Sequence, residues 1–158
     1  MSKQFFKYII IPLTILFVAI QFFRPERNEG ELNLAPFIAE TNASKEVVTI
    51  LKKACTDCHS NKTNYPWYSN IAPFSFKISS HVIEGKDELN FSEWSTFSVK
   101  RKEYKMDEIV EFIEKKEMPL QSYLLMHKEA FLTKDEVKMV INWAKENQKT
   151  YQEELKKK

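Results

Sequence analysis

The only two cysteines of the chain fall in one pentapeptide, Cys55-Thr56-Asp57-Cys58-His59. Two thiols three positions apart on one turn can each add across a vinyl group of a porphyrin, while the adjacent imidazole reaches the iron beneath the ring. This CxxCH spacing is the pattern of c-type haem attachment. Two other chemistries also use a CxxC pair. A zinc site needs a second ligand pair, and His81 and His127 stand isolated in the sequence. A redox dithiol of the thioredoxin kind expects a strand-helix-strand context, which this chain's helical patterning lacks. The residues therefore point to one covalent haem c per chain, with Cys55 and Cys58 as thioether donors and His59 as the proximal iron ligand.

The second axial position has six candidates: Met106, Met118, Met126, Met139, His81 and His127. Met118 is favoured because Pro119 breaks the preceding helix and lets the thioether project from a loop. Met106 and Met139 recur at helical spacing beside Ile or Val, where a flexible core filler is the simpler role. His127, Met126, His81 and an open site remain alternatives. After the motif, Tyr65, Trp67 and Tyr68 are candidate walls of the cofactor site or donors to its propionates, because a buried phenol or indole needs a polar partner.

Helices have to carry these groups. Ser44 can cap a helix in which Val47, Leu51, Ala54 or Cys55, and Cys58 recur at three-to-four spacing, which puts both cysteines near its apolar end. A loop follows from His59 to Ala72. Pro73 suits a first helical position, Phe74, Ile78 and Val82 continue the period, and Gly85 suits the residue just past a helix end. Ser92 opens a brief segment through Trp94, and residues 104–116 read as an amphipathic helix that stops before Met118-Pro119. Thr133 and Glu136 form a capping box before a long final helix carrying Val137, Val140, Ile141 and Ala144. Trp94 and Trp143 read as core. No alternating strand pattern competes.

At the amino terminus, residues 8–23 carry no charge, and extension back to Phe5 across Lys7 gives roughly 19 residues, about 28 Å as a helix. Val18 to Phe23 offer no small-x-small cleavage site, so residues 1–23 read as an uncleaved transmembrane signal anchor. Lys3 and Lys7 on one side and Arg24 and Arg27 on the other leave the positive-inside rule indecisive. Haem attachment outside the cytoplasm orients the chain instead. Residues 24–42 read as a linker, 43–150 as the folded domain and 151–158 as a Lys-rich tail.

Composition narrows the field further. Lys and Arg total 24 against 22 Asp and Glu, and without Lys3 and Lys7 the charges balance, so a nucleic-acid partner is not expected. Gly30 and Gly85 are the only glycines, too few for a phosphate-cradling loop, so a nucleotide is not expected either. Lys86, Lys100, Arg101, Lys102 and Lys105 could form a basic docking face, although a solvated face is the simpler reading.

Several segments together resemble the bacterial haem-binding-domain family of membrane-anchored, single-haem cytochromes c. They are residues 55–61 (CTDCHSN), 63–67 (TNYPW), 70–73 (NIAP), 89–94 (LNFSEW) and 117–120 (EMPL), with His127, Glu129 and Ala130, and they extend over roughly Lys45 to Trp143. The resemblance implies an all-α, cytochrome-c-like fold around one haem, with His59 and Met118 as axial ligands and thioethers from Cys55 and Cys58. It implies a single-pass protein of a bacterial inner membrane with its haem domain on the periplasmic side. The expected activity is one-electron transfer to or from a redox partner protein or respiratory complex, not catalysis. The competing expectation is a peroxidase-like enzyme or a gas or redox sensor with an open sixth site.

Overall fold

The computed structural model describes Gln4 and residues 6–157, so the expectations placed on Lys3, Phe5 and Lys158 lie outside the described residues. Among the described residues the regular elements are helices and helical turns, with one isolated bridge between Glu29 and Lys62. The all-α expectation holds.

A π-turn, Phe6–Ile10, runs into α1, Ile11–Ile20, none of whose residues is buried. No helix among the described residues is long and apolar enough to cross a membrane, so the transmembrane helix expected within residues 1–23 is not found. The regular α-helix ends at Ile20, and Gln21 turns its amide to the backbone of Ala72, donating to the carbonyl at 3.2 Å and accepting from the N–H at 2.9 Å.

Residues 24–42 are not the expected linker. They contain α2, Ala35–Thr41, with Pro36 in its first turn and Asn42 ending it in the left-handed conformation at φ 46°. Phe37 is 1% exposed, its ring 4.9 Å from Phe91, 5.3 Å from Trp94 and 5.7 Å from Trp143. Three aromatic neighbours at these separations make Phe37 a hub of the main core. The linker expectation rested on missing periodicity, and a single helix of about two turns is too short to show one.

Helix α3, Lys45–Ala54, starts where Ser44 accepts from the Val47 N–H, as expected, and buries Val47, Ile50, Leu51 and Ala54. Helix α4, Phe74–Glu88, follows Pro73 but does not end at Gly85, which lies inside it. Trp94 lies in a 3₁₀ turn, Phe91–Thr96. Helix α5, Val99–Glu114, begins five residues before the expected Tyr104 because Ser98 caps it. Lys116 then takes φ 58° and the Met118–Pro119 peptide is cis. A short α6, Gln121–Leu124, and a 3₁₀ turn, Lys128–Ala130, lead to α7, Lys134–Lys156. Its capping box is present: the Thr133 hydroxyl accepts from the Glu136 N–H at 3.2 Å, and the Glu136 carboxylate accepts from the Thr133 N–H at 2.8 Å.

Packing of α5 along α7 dominates the tertiary structure, and α3 also leans on α7. Trp94 and Trp143 are both buried, the indole N–H of Trp143 donating to the Thr41 carbonyl at 3.1 Å and that of Trp94 to the Tyr151 hydroxyl at 3.3 Å. Tyr151 is therefore core, and the tail boundary at 151 is corrected, because α7 continues to Lys156. The basic face is corrected as well. Lys102 is buried against Glu40 at 2.7 Å, Lys105 pairs with Glu88 and Glu108, Lys86 donates to Asn28, and Arg101 lies 4.0 Å over the Phe97 ring.

Candidate functional site

Where α3 runs out, the backbone keeps turning instead of extending. The Cys55 and Thr56 N–H groups donate to the Leu51 carbonyl at 2.8 and 3.0 Å, and those of Cys58 and His59 to the Cys55 carbonyl at 3.2 and 2.9 Å. The Ser60 hydroxyl, fully buried, ties the turn back to the Thr56 carbonyl at 2.7 Å. This coil brings Cys55, Cys58 and His59 to one wall of a cleft of about 830 Å³, within the roughly 300–1,000 Å³ typical of cofactor sites.

The two thiols are free. Burial is the main cause that raises Cys55 to about 12, with Cys58 beside it adding to the effect, and burial followed by the Asp57 carboxylate raises Cys58 to about 11. Thiol–disulfide exchange relies on a thiol pKa lowered from about 8.5. The shift here runs the other way.

His59 is oriented by two backbone carbonyls, one on α4 and one just past its end. Its Nδ1–H donates to the Gly85 carbonyl at 2.8 Å and to the Leu89 carbonyl at 3.0 Å. With the proton held at Nδ1, the lone pair is on Nε2, and carbonyl acceptors behind an imidazole are the usual outer partners of a metal-ligating histidine. Burial lowers the pKa of His59, which keeps it in the neutral, ligating form. The approach of α4 is close: a Cβ at Gly85 would lie 2.8 Å from the Cys58 carbonyl oxygen and 3.0 Å from the Cys58 Cβ. Glycine inside this helix is thus explained by contact with the haem-motif turn rather than by helix termination.

Across the cleft, the lining is mostly apolar: Phe74, Ile78 and Val82 of α4, then Ile109, Phe112 and Ile113 of α5. Met118 lines it, as do Met126, His81 and His127, whereas Met106 lies in the main core and Met139 lies at the surface away from it. The six axial candidates are thereby reduced to four. His127 is engaged at both nitrogens: Nδ1–H donates to Glu129 at 3.0 Å, and Nε2 accepts from the Tyr68 hydroxyl at 2.8 Å. Tyr123 stacks on the His127 ring, centroids 4.1 Å apart, and donates its hydroxyl to Asp57 at 2.8 Å. Burial and then that carboxylate raise the Tyr123 pKa, so the phenol stays a donor.

Trp67 and Tyr68 line the cleft, Trp67 being 74% exposed at its mouth. Tyr65 does not. It faces a neighbouring groove, with its hydroxyl taken by the Asn28 N–H at 2.8 Å and its ring 4.1 Å from the Arg27 guanidinium. Asp57, Tyr123 and the Gly85 and Leu89 carbonyls escaped sequence reasoning. Asp57 and Tyr123 meet only through the fold, 66 positions apart, and backbone acceptors leave no mark on side-chain pattern. Gly85 stands out in the sequence as one of two glycines, but it reads there as a helix end and not as a contact of the motif.

An apolar cleft of cofactor size, a neutral imidazole with Nε2 unprotonated, and two thiols on the same turn fit a haem. No curated protein and no solved structure matches the chain. The family model described as the haem-binding domain matches residues 15–146, and the chain belongs to that family.

Proposed function

We propose that the chain is a c-type cytochrome that carries single electrons on the extracytoplasmic side of a membrane. The observation that carries this reading is the His59 geometry, Nδ1–H fixed by the Gly85 and Leu89 carbonyls, because a neutral imidazole held in this way has a proximal ligand's tautomer and orientation. When bound, the haem supplies a one-electron ferric–ferrous couple. Cys55 and Cys58 would hold it as thioethers, and Met118, in the loop after α5 and lining the same cleft, would supply a second ligand. The apolar residues of α4 and α5 keep water from the site. A thioether as second ligand would raise the potential of such a haem, which suits a redox partner protein or respiratory complex.

Electron transfer needs no acid–base residue, and the hydrogen bonds at both nitrogens of His127 leave it poorly suited to a distal catalytic role. Haem attachment of the CxxCH kind requires export, and the apolar residues of α1, none of them buried, support contact of the amino-terminal segment with a membrane surface. The test is an optical spectrum of the full chain, exported in a host with haem-attachment machinery and recorded oxidised, reduced, and reduced with carbon monoxide. A low-spin spectrum insensitive to carbon monoxide is expected in the wild type. Met118→Ala should then bind carbon monoxide, and an unchanged low-spin spectrum in that variant removes Met118 from the assignment. A wild-type haem that carbonylates readily transfers the function to catalysis or sensing.

A further inference from the structure

The stretch between α1 and α2 crosses the haem-motif turn, and one side chain in it reaches the residue that follows each partner of the His59–Gly85 hydrogen bond. Asn28 Nδ2 donates to the Ser60 carbonyl and to the Thr63 hydroxyl, each at 2.9 Å. Its Oδ1 accepts from Lys86 Nζ at 2.7 Å. Ser60 is the residue after His59, and Lys86 is the residue after Gly85, the acceptor of His59 Nδ1–H. The backbone of Asn28 joins in, its N–H donating to the Tyr65 hydroxyl at 2.8 Å and its carbonyl accepting from the Thr63 N–H at 3.0 Å. The Thr63 hydroxyl passes the restraint on, donating to the Asp57 carbonyl at 2.6 Å. Two residues further along, Gly30 lies so close to Asn61 that a Cβ would stand 2.7 Å from the Asn61 carbonyl oxygen.

We infer that Asn28 is a positioning residue for the haem ligand, its carboxamide bridging the turn that carries His59 and the helix that holds His59 Nδ1. Asparagine is suited to this place because it presents a donor to the turn and an acceptor to Lys86 from one planar group. Aspartate would lose the donors, and a hydroxyl would be too short to serve both sides. The inference rests on His59 being the ligand, since the benefit of the bridge is a fixed imidazole, whose carbonyl-bound Nδ1–H makes Nε2 a more basic donor.

The experiment compares full-length wild type with Asn28→Ala and Lys86→Met, reading amide hydrogen exchange over residues 59–63 and the midpoint potential of the haem-loaded protein. Loss of the two side-chain hydrogen bonds to the turn, each worth about a fivefold effect, should speed its local opening about 30-fold in Asn28→Ala. The midpoint should rise, because a less firmly held His59 is a weaker donor to ferric iron. Lys86→Met should raise the midpoint by less and leave exchange over 59–63 near wild type, since only the α4 arm is cut. Exchange in Asn28→Ala within twofold of wild type, with the midpoint unmoved, overturns the inference. Should Asn28→Ala fail to fold, an unmoved midpoint in Lys86→Met overturns it instead. A wild-type spectrum without imidazole ligation defeats the functional reading, while the exchange comparison still decides whether Asn28 holds the turn.

Discussion

Replacing Gly85 by Ala sets two physical effects of opposite sign against each other. In an isolated helix the change is favourable, by about 0.5–1 kcal/mol, because glycine loses more backbone entropy on ordering. Here the new methyl would meet Cys58 at 2.8 Å from its carbonyl oxygen and 3.0 Å from its Cβ, whereas ordinary contact begins near 3.4 Å. Neither atom is the far end of a flexible side chain, so α4 and the haem-motif turn must part by about half an ångström. Overpacking of this kind costs about 1–3 kcal/mol. The same displacement stretches the 2.8 Å bond from His59 Nδ1 to the Gly85 carbonyl, a bond whose net worth is on the order of 1 kcal/mol. The balance is a destabilisation of about 1–3 kcal/mol, or a Tm lower by about 3–9 °C for a chain of this size. Thermal unfolding followed by circular dichroism measures it, and the spectrum of the haem-loaded variant reports whether His59 has shifted. A Gly85→Ala protein as stable as wild type, with an unaltered haem spectrum, would refute the close-approach argument and return Gly85 to the role of an ordinary helix residue.

Phe37→Ala should destabilise by about 3–5 kcal/mol in denaturant unfolding, since its ring sits among Phe91, Trp94 and Trp143; a loss below about 1 kcal/mol would restore the linker reading of residues 24–42. Glu40→Ala strands the Lys102 ammonium and removes the acceptor of the Tyr151 hydroxyl, and because the Glu40 side chain is 34% exposed the loss should be about 1–3 kcal/mol, below the full buried-pair figure. A double-mutant cycle with Lys102→Met should show coupling, and additive losses would dissolve the pair. Glu136 is held below the usual carboxylate range first by Lys53 and then by the Thr133 N–H. Its contribution is therefore present above about pH 4.5 and lost as pH falls through its lower folded value, so the Tm gap between wild type and Glu136→Gln should close on acidification. A gap independent of pH would contradict the sign.

What the sequence made legible was local. Ser44, Thr133 and Glu136 announce helix starts because capping is decided within four residues, and those starts are where the spacing placed them. The motif Cys55 to His59 carries its chemistry in contiguous residues, so the cofactor class could be read before any fold was known. Signals that depend on a partner far along the chain misled. Gly85 looks like a helix end when only its own helix is considered, and becomes a close-contact residue only once Cys58 is beside it. Lys102 and Lys105 look like a charged surface until Glu40, Glu88 and Glu108 are brought to them.

The same distinction explains why the walls of the cleft were harder to foresee than the motif at its end. Tyr65 and Tyr68 are three residues apart in one loop, equally aromatic and equally able to donate. Yet only Tyr68 lines the cleft, because Asn28 captures the Tyr65 hydroxyl from outside and His127 captures that of Tyr68 from within. Which tyrosine lines the cleft is thus decided by residues from two segments that no local pattern joins. One of them, the stretch carrying Asn28, looks structureless because it makes most of its hydrogen bonds to other elements, and a chain segment of that kind has no period to detect. Its irregularity in sequence follows from its role: it is shaped by the turn it crosses, so the pattern to which it conforms is the backbone of residues 57–63 and not its own.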